Sequence, residues 1–571
     1  MTAFAVPAFA VPAAASSVVS LDWLVLGPVL APAAGAVLVL VVDAVAPRLA
    51  RLHYVIGVLA LVVGAALAVP TALGSAADPR RSLCLPAPDG ACLYEAGPVV
   101  GALQLGGLLA ALVVLLLAWP SDAGHLDPAG PADRAERVDS AEPVNRAEPA
   151  GGSPRPVEAL RGGPAVIVSL VLAATAGAAG VAAAHDLASW LVSLELATLP
   201  AIALVALRAT PDAGRGALAL LTTSVVSFAL VVLGAALWLL STGEAVFSGP
   251  AAATALADPE RRAVLLLGLL LLLAGVGFKL SLVPFHVWTP QAYAGGTEAV
   301  AAFLAATSKV AALAALLVVL GPIAASGTAG ATPVLVVVGI VAAVSMTVGN
   351  LVALVQDDPV RLLAWSTVAQ AGWVVLPLSV ATTAAAQASG AYLLAYLVAT
   401  LVAFVVVHLV ARSPAVMDDH SRGEPGRGRT LAAYTGLLRS RPILGGALGL
   451  ALLSLAGLPP GVLGLVAKVV ALRPVVGDEQ WLLALVAVAN AVLGVAVYLR
   501  WFTVLLRDPD PSSTTGAEAA EAADGDDGDD GPLEELFGGP VPRPALAALL
   551  LSGAVLVAAS VLPQLVLGLL G

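Results

Sequence analysis

The stretch GVGFKLSLVPFHVWTPQAY, residues 275–293, decides how the chain is read. Lys279 sits inside a long apolar run, and Pro284 and Pro290 follow it closely. A proline inside a helix removes a backbone donor and clashes with the preceding turn, and in lipid the freed carbonyls are tolerated only where they meet protein or water. A lysine near the middle of a bilayer costs about 2.5–3.5 kcal/mol on insertion scales, so such residues usually face a bundle interior and serve transport. The plainer reading is a paired or snorkelling lysine on an ordinary proline kink. The pattern occurs twice, however, because Gly457, Pro459, Pro460 and Gly461 are followed by Lys468. A broken helix bearing a lysine once in each half of a chain is what an inverted-repeat transporter shows.

Composition agrees with a chain built for lipid. Of 571 residues 59% are hydrophobic and 11% charged, and the mean hydropathy is +0.97, whereas a soluble domain carries about 25% charged residues. The 27 basic and 38 acidic residues leave a net charge of −11 with no basic stripe, which excludes nucleic acid as a partner. Residues 508–542 hold eleven acids and no base, so the rest of the chain is formally neutral. Arginine outnumbers lysine by 24 to 3, and Lys279, Lys309 and Lys468 all lie in apolar runs. Arginine has the loops and lysine the membrane.

Apolar runs of about 20 residues give fourteen expected spans, near 22–45, 54–73, 98–119, 163–184, 187–207, 217–240, 263–286, 299–320, 333–355, 361–382, 388–411, 443–471, 481–506 and 544–569. The fold class expected is therefore an all-α polytopic membrane protein with two inverted five-helix repeats and broken seventh and twelfth helices. The organisation along the chain is three N-terminal helices (1–119), a loop (120–160), a first repeat (161–322), a second repeat (331–506), an acidic loop (507–542) and a last helix (543–571). The segments 120–160, 412–430 and 508–541, the last with DGDDGDD at 524–530, lack the apolar residues that offset ordering entropy and read as disordered cytoplasmic loops. One set of loops carries eighteen arginines and the other five, which puts the rich set in the cytoplasm and both termini outside. The first 21 residues have no basic n-region, so no signal peptide is expected. Cys84 and Cys92 fall in an outer loop, where they either form a disulfide or remain two free thiols.

The candidate functional groups are Glu195, in SWLVSLELATLP, with Lys279, Lys309 and Lys468. His286, two residues after Pro284, is a candidate proton relay because imidazole titrates near neutrality. Glu298 at a helix start is explained by capping, and His408 reads as a satisfied interior histidine. Neither cysteine nor histidine spacing suggests a metal or cluster, and no nucleotide fingerprint occurs, so no cofactor is expected in this chain.

These stretches resemble a known family. GVGFKLSLVPFHVWTPQAY and VAAFLAATSKVAALAAL (300–316) look like the seventh and eighth helices of the antiporter-like membrane subunits of the proton-pumping NADH-quinone oxidoreductase (respiratory complex I), subunit N above all. LVSLELATLPAIALVAL (191–207), TVGNLVALVQDDPVRLLAWSTVAQAGW (347–373) and RPILGGALGLALLSLAGLPPGVLGLVAKVV (441–470) are similar as well. The resemblance implies proton translocation along Glu195, Lys279, Lys309 and Lys468, with Lys279 as central switch, Lys309 passing the proton on and Lys468 nearest the outlet; His286 matches the family's histidine after the broken-helix proline. It also implies a multi-pass place in a bacterial cell membrane, within a translocase assembly whose other membrane and peripheral subunits hold NADH, FMN, iron–sulfur clusters and quinone. The sequence departs from the family twice. The sixth-helix lysine falls on Ala219, and Gln370 stands where relatives often have histidine. Arg215, one helical turn before Ala219, is the expected substitute partner for Glu195. A subunit of a sodium/proton antiporter and a scaffold paralogue that no longer pumps are the alternatives.

Overall fold

The computed structural model describes residues 21–84, 92–120, 163–326, 329–380, 382–413, 429–508 and 541–570. The three segments read as disordered loops fall, apart from their edges, outside the described residues. Thirteen helices are long and apolar enough to cross a membrane, or fourteen if Leu431–Ser440 and Pro442–Ala456, bent by 118°, count as one span. They follow the expected runs in order. The exception is the twelfth run, which forms two short helices, Pro442–Ala456 and Val462–Gly477.

Burial sorts the bundle into centre and rim. Pro359–Ser379 and Thr383–Ala411 are each 94% buried over their most apolar window, whereas Pro211–Thr242 and Trp481–Leu506 are 33% buried and turn leucine and valine outward. Thr383–Ala411 is the central post, packed by Pro98–Leu117, Glu298–Ala305, Pro442–Ala456, Val462–Gly477 and Arg543–Val561. At one end of the bundle Arg80–Cys84 and Cys92–Ala96 form an antiparallel hairpin in which Cys84 faces Cys92 and a disulfide joins them. The amide of His185 donates to the Leu93 carbonyl at 2.8 Å, tying the hairpin to the loop before Leu187–Leu196.

Four spans are interrupted in the membrane, two more than the sequence indicates. Pro259–Leu280 ends at Ser281, which takes the left-handed conformation (φ 68°), and the chain turns until Trp288–Gly295 begins. Pro442–Ala456 ends the same way at Gly457 (φ 79°), before Val462–Gly477. Both ends carry the same pair of closing bonds, in which Leu282 donates to Gly277 and Leu458 to Leu453, each at 2.9 Å. The fifth run divides into Leu187–Leu196 and Leu199–Ala206, with Pro200 opening its second part. The eighth divides at Ala306 into Glu298–Ala305 and Thr307–Ser326.

Two glycines let neighbouring backbone reach these breaks. A Cβ on Gly177 would stand 2.3 Å from the Ala197 nitrogen, and one on Gly464 would stand 1.7 Å from the Ser454 carbonyl oxygen. Backbone cannot yield as a flexible side chain does, and overpacking of this kind costs about 1–3 kcal/mol or more. Gly464→Ala should therefore lower the melting temperature of the purified protein in detergent, or its yield. Gly446→Ala, whose Cβ meets nothing within 4 Å, should leave both unchanged.

Candidate functional site

Every sequence-selected lysine is buried at a helix break. Lys279, Lys309 and Lys468 are 5%, 1% and 6% exposed. The last carbonyls of an interrupted helix have no intrahelical partner and carry the negative end of its dipole, which is where a cation is favoured. Each lysine uses such carbonyls.

Lys279, in the last turn of Pro259–Leu280, reaches across to the break in the fifth run. There Thr198 donates its amide to Glu195 instead of Leu194, and the Leu194 carbonyl accepts from the Thr198 hydroxyl at 2.7 Å. The Lys279 ammonium donates to that carbonyl at 2.9 Å and to the Thr198 hydroxyl. Glu195, at the end of the half-helix and half-buried, interacts electrostatically with Lys279 without a direct ion pair among the described residues.

Lys309 repeats the contact one helix along. Its ammonium donates to the Lys279 carbonyl at 2.8 Å and to the Ser281 hydroxyl at 2.6 Å, and lies 4.8 Å from the centre of the Trp288 ring. Ser281 is held in turn by Thr289 at 2.6 Å. Lys279 and Lys309 therefore sit close enough to repel when both are charged. Lys468 donates to the Leu455 and Ala456 carbonyls at 3.1 and 2.5 Å and lies 5.8 Å from the Trp373 ring. An ammonium on terminal carbonyls beside an indole face is thus built once in each half.

A network of buried hydroxyls, unmarked by the sequence reading, lies in the second half, on Pro359–Val375, Thr383–Ala411 and Trp481–Leu506. The Thr367 hydroxyl meets the Tyr396 hydroxyl at 2.9 Å, and Ser366 meets Tyr498 at 2.6 Å. Gln370 donates to Tyr498 at 2.9 Å and accepts from Tyr392 at 2.6 Å. A cavity of about 10 Å³ lined by Gln370, Tyr392, Tyr396, Ser454 and Leu455 carries the network to the break that Lys468 caps. The spacings Ser366, Thr367, Gln370 and Tyr392, Tyr396 put these groups on single helix faces, a signal available in the sequence.

One expectation is corrected. Arg215 does not serve Glu195, because it is 74% exposed and donates to Asp212 at 2.7 Å in its own first turn. The cation that Glu195 meets is Lys279. His286 shares the break with Lys279 but lies half-buried with its ring 5.3 Å from that of Trp365, and it bonds to neither lysine among the described residues. Glu298 and His408, read as capping and interior residues, meet each other at 3.7 Å.

The family model for the transmembrane part of NADH:quinone oxidoreductases and Mrp antiporters matches residues 184–494. NADH-quinone oxidoreductase subunit N 2 of Streptomyces griseus is 33% identical over 517 residues, 88% of this chain and 86% of that protein. Subunit N of Salinispora tropica is 38% identical over 347 residues, 60% of this chain and 66% of that one. Among solved structures, a chain of respiratory complex I from Thermus thermophilus superposes with a TM-score of 0.67 at 28% identity, covering 95% of this chain and 98% of that chain. A chain of the Mrp complex from Dietzia sp. superposes with a TM-score of 0.70, covering 96% of each chain, and at 20% identity it shows the shared fold alone.

Removing the Lys309 ammonium leaves the Lys279 carbonyl without its buried donor, while the Ser281 hydroxyl keeps Thr289. Such an orphaned group costs about 1–3 kcal/mol. Lys309→Met should lower the melting temperature of the purified protein, and Lys309→Gln, which retains a donor, should lower it less.

Proposed function

The chain belongs to the NADH:quinone oxidoreductase/Mrp antiporter transmembrane family, and from that premise we infer that it is the N subunit in the membrane arm of a bacterial proton-pumping NADH-quinone oxidoreductase. The observation that carries the proton role is the seating of three buried ammonium groups on helix-terminal carbonyls, with Lys279 joining Glu195 to Lys309. In this reading neighbouring membrane and peripheral subunits hold NADH, FMN, the iron–sulfur clusters and quinone, and quinone reduction drives the path in this chain. The arginine-rich loops face the cytoplasm and both termini face outward.

Lys279 and Lys309 act as a coupled pair. Two like charges in neighbouring low-dielectric positions repel, so a proton arriving on one disfavours a proton on the other. When Glu195 is ionised it holds the proton on Lys279; when Glu195 is protonated that hold is lost and the proton moves to Lys309. The hydroxyl network then leads to Lys468, and release from Lys468, followed by passage of the Glu195 proton to Lys279, returns the chain to its starting state with one proton transferred. The two lysine-capped breaks, at 281–287 and 457–461, mark the corresponding points of two inverted repeats, 161–322 and 331–506. The family also includes antiporter subunits, but the curated relatives at 33% and 38% identity are N subunits of the oxidoreductase.

In the assembled complex reconstituted in vesicles, Lys279→Ala should remove most of the protons translocated per quinone reduced while the other subunits still co-purify. Wild-type stoichiometry in that variant would exclude Lys279 from the path. Arg215→Gln should change translocation by less than about twofold, because an exposed pair with Asp212 is worth about 0–1 kcal/mol and does not reach Glu195.

A further inference from the structure

The pair formed by Glu298 and His408 has no part in the path above; its imidazole is buried and its carboxylate is partly exposed, at 20%. Glu298 opens the Glu298–Ala305 helix, and His408 lies in the last turn of the central Thr383–Ala411 post. The N-cap bond at this helix start is made by Thr297, whose hydroxyl accepts from the Val300 amide, and the Glu298 carboxylate accepts from its own amide while also facing His408. Nδ1 of His408 lies 3.7 Å from Oε2 of Glu298, and the His408 side chain is 3% exposed. A permanent charge partner is present without the imidazole, since Glu298 also interacts with the Arg208 guanidinium, which donates to the Gly296 carbonyl at 3.1 Å. A titratable ring has therefore been added to a carboxylate that already had a fixed cation.

The surroundings connect this pair to the two places a proton relay needs. A cavity of about 20 Å³ touches Glu298, Arg208, Asp358, Arg429, Tyr434 and Tyr293, which is room for about one water molecule. On its loop side are Arg208, Arg429 and Asp358, the last occupied in capping Pro359–Val375 through the amides of Val360 and Arg361. On its inner side is Tyr293, fully buried, with its hydroxyl on the Thr367 side and without a hydrogen bond among the described residues, so that it is free to turn between the cavity and Thr367. Thr367 bonds Tyr396, so the inner wall of the cavity is the start of the hydroxyl network.

We propose that Glu298 and His408 form a proton-loading pair that takes protons from the arginine-rich loop side and delivers them, through Tyr293 and Thr367, to the network between Lys309 and Lys468. One proton is shared in the loaded pair, as imidazolium with carboxylate or as imidazole with carboxylic acid. Passing it to a hydroxyl or water in the cavity leaves imidazole and carboxylate, and one proton from the aqueous side restores the loaded state. The charged and titratable groups facing the pair are Arg208, Arg429, Asp358, Tyr434 and Tyr293. Arg208 and Arg429 stay charged throughout, so the pair is the part that exchanges.

The inference rests on the proton-pumping reading, and the test keeps the two apart. Vesicles containing the whole complex with wild-type chain, Lys279→Ala, Glu298→Gln, His408→Gln, the Glu298→Gln/His408→Gln double variant or Glu298→Asp are assayed for proton uptake per quinone reduced between about pH 6 and 8.5, with melting temperatures measured in parallel. Glu298→Gln and His408→Gln should each slow translocation about tenfold at the alkaline end, where a loading group matters most, and much less at the acid end. The double variant should be no slower than either single, and Glu298→Asp should retain most of the wild-type rate. Wild-type pH profiles in both single variants, or a uniform loss that follows the melting temperature, would overturn the proposal. If the wild-type complex does not pump, or Lys279→Ala pumps as well as wild type, the functional reading fails and this proposal fails with it, for a reason the Lys279 control identifies.

Discussion

An ammonium seated on the carbonyl end of an interrupted helix is the contact around which the bundle is organised. It occurs at Leu194, at Lys279 and at Leu455 with Ala456, each time with a lysine from another segment. Burying one such charge costs about 2.5–3.5 kcal/mol. The C-terminal dipole returns up to about 2 kcal/mol, and a hydrogen bond to a charged group about 1.5–3 kcal/mol. The two sides are of the same order. A lysine held so close to balance keeps or loses its proton according to small changes nearby, such as the state of Glu195 or of the other lysine. Deep burial without terminal carbonyls would expel the charge, and a direct ion pair would hold it too firmly to exchange.

This contact also explains which parts of the site were legible. The breaks at 281–287 and 457–461 are written in Pro284, Pro290, Pro459 and Pro460, and the lysines beside them are expensive enough to stand out. The fifth-run break has a weaker mark in Pro200, and the eighth-run break at Ala306 has none, because neighbouring packing and the amide-to-carbonyl pattern of residues 302–310 make it. Without the fifth-run break Glu195 falls in the interior of the expected 187–207 span, whereas it stands at the end of Leu187–Leu196. Arg215 failed for a different reason. Its spacing to Ala219 was right, but Asp212 offers a carboxylate on the same turn in water, where a guanidinium needs no desolvation to reach it.

Hydroxyls are harder to read than charges because they carry no insertion penalty large enough to make them conspicuous. Ser366, Thr367, Tyr392, Tyr396 and Tyr498 look in sequence like ordinary residues of apolar helices. Their meaning comes only from convergence. Pro359–Val375, Thr383–Ala411 and Trp481–Leu506 bring them together around Gln370, which uses both ends of its amide, donating to Tyr498 and accepting from Tyr392. An imidazole there could hold a proton. Gln370 cannot, so on the proposed path transfer across the middle depends on hydroxyls reorienting between fixed partners.

The same geometry bears on which ion can use the path. A metal cation crossing the bundle must replace its water with several oxygen ligands held around one point, and hard cations prefer carboxylates and carbonyls. The breaks do present carbonyls, but Leu194, Lys279, Leu455 and Ala456 already give theirs to lysine ammonium groups. Among the described residues no three histidine, cysteine or acidic side chains converge as a metal site would need. A sodium ion at any of these points would have to displace a buried ammonium of like charge. A proton has no such competitor, because it occupies the lysine itself and leaves the carbonyl contact in place as donor and acceptor. The carbonyls that make the helix breaks tolerable in lipid are thus already taken by lysine, which on the proposed reading favours a proton over a metal cation.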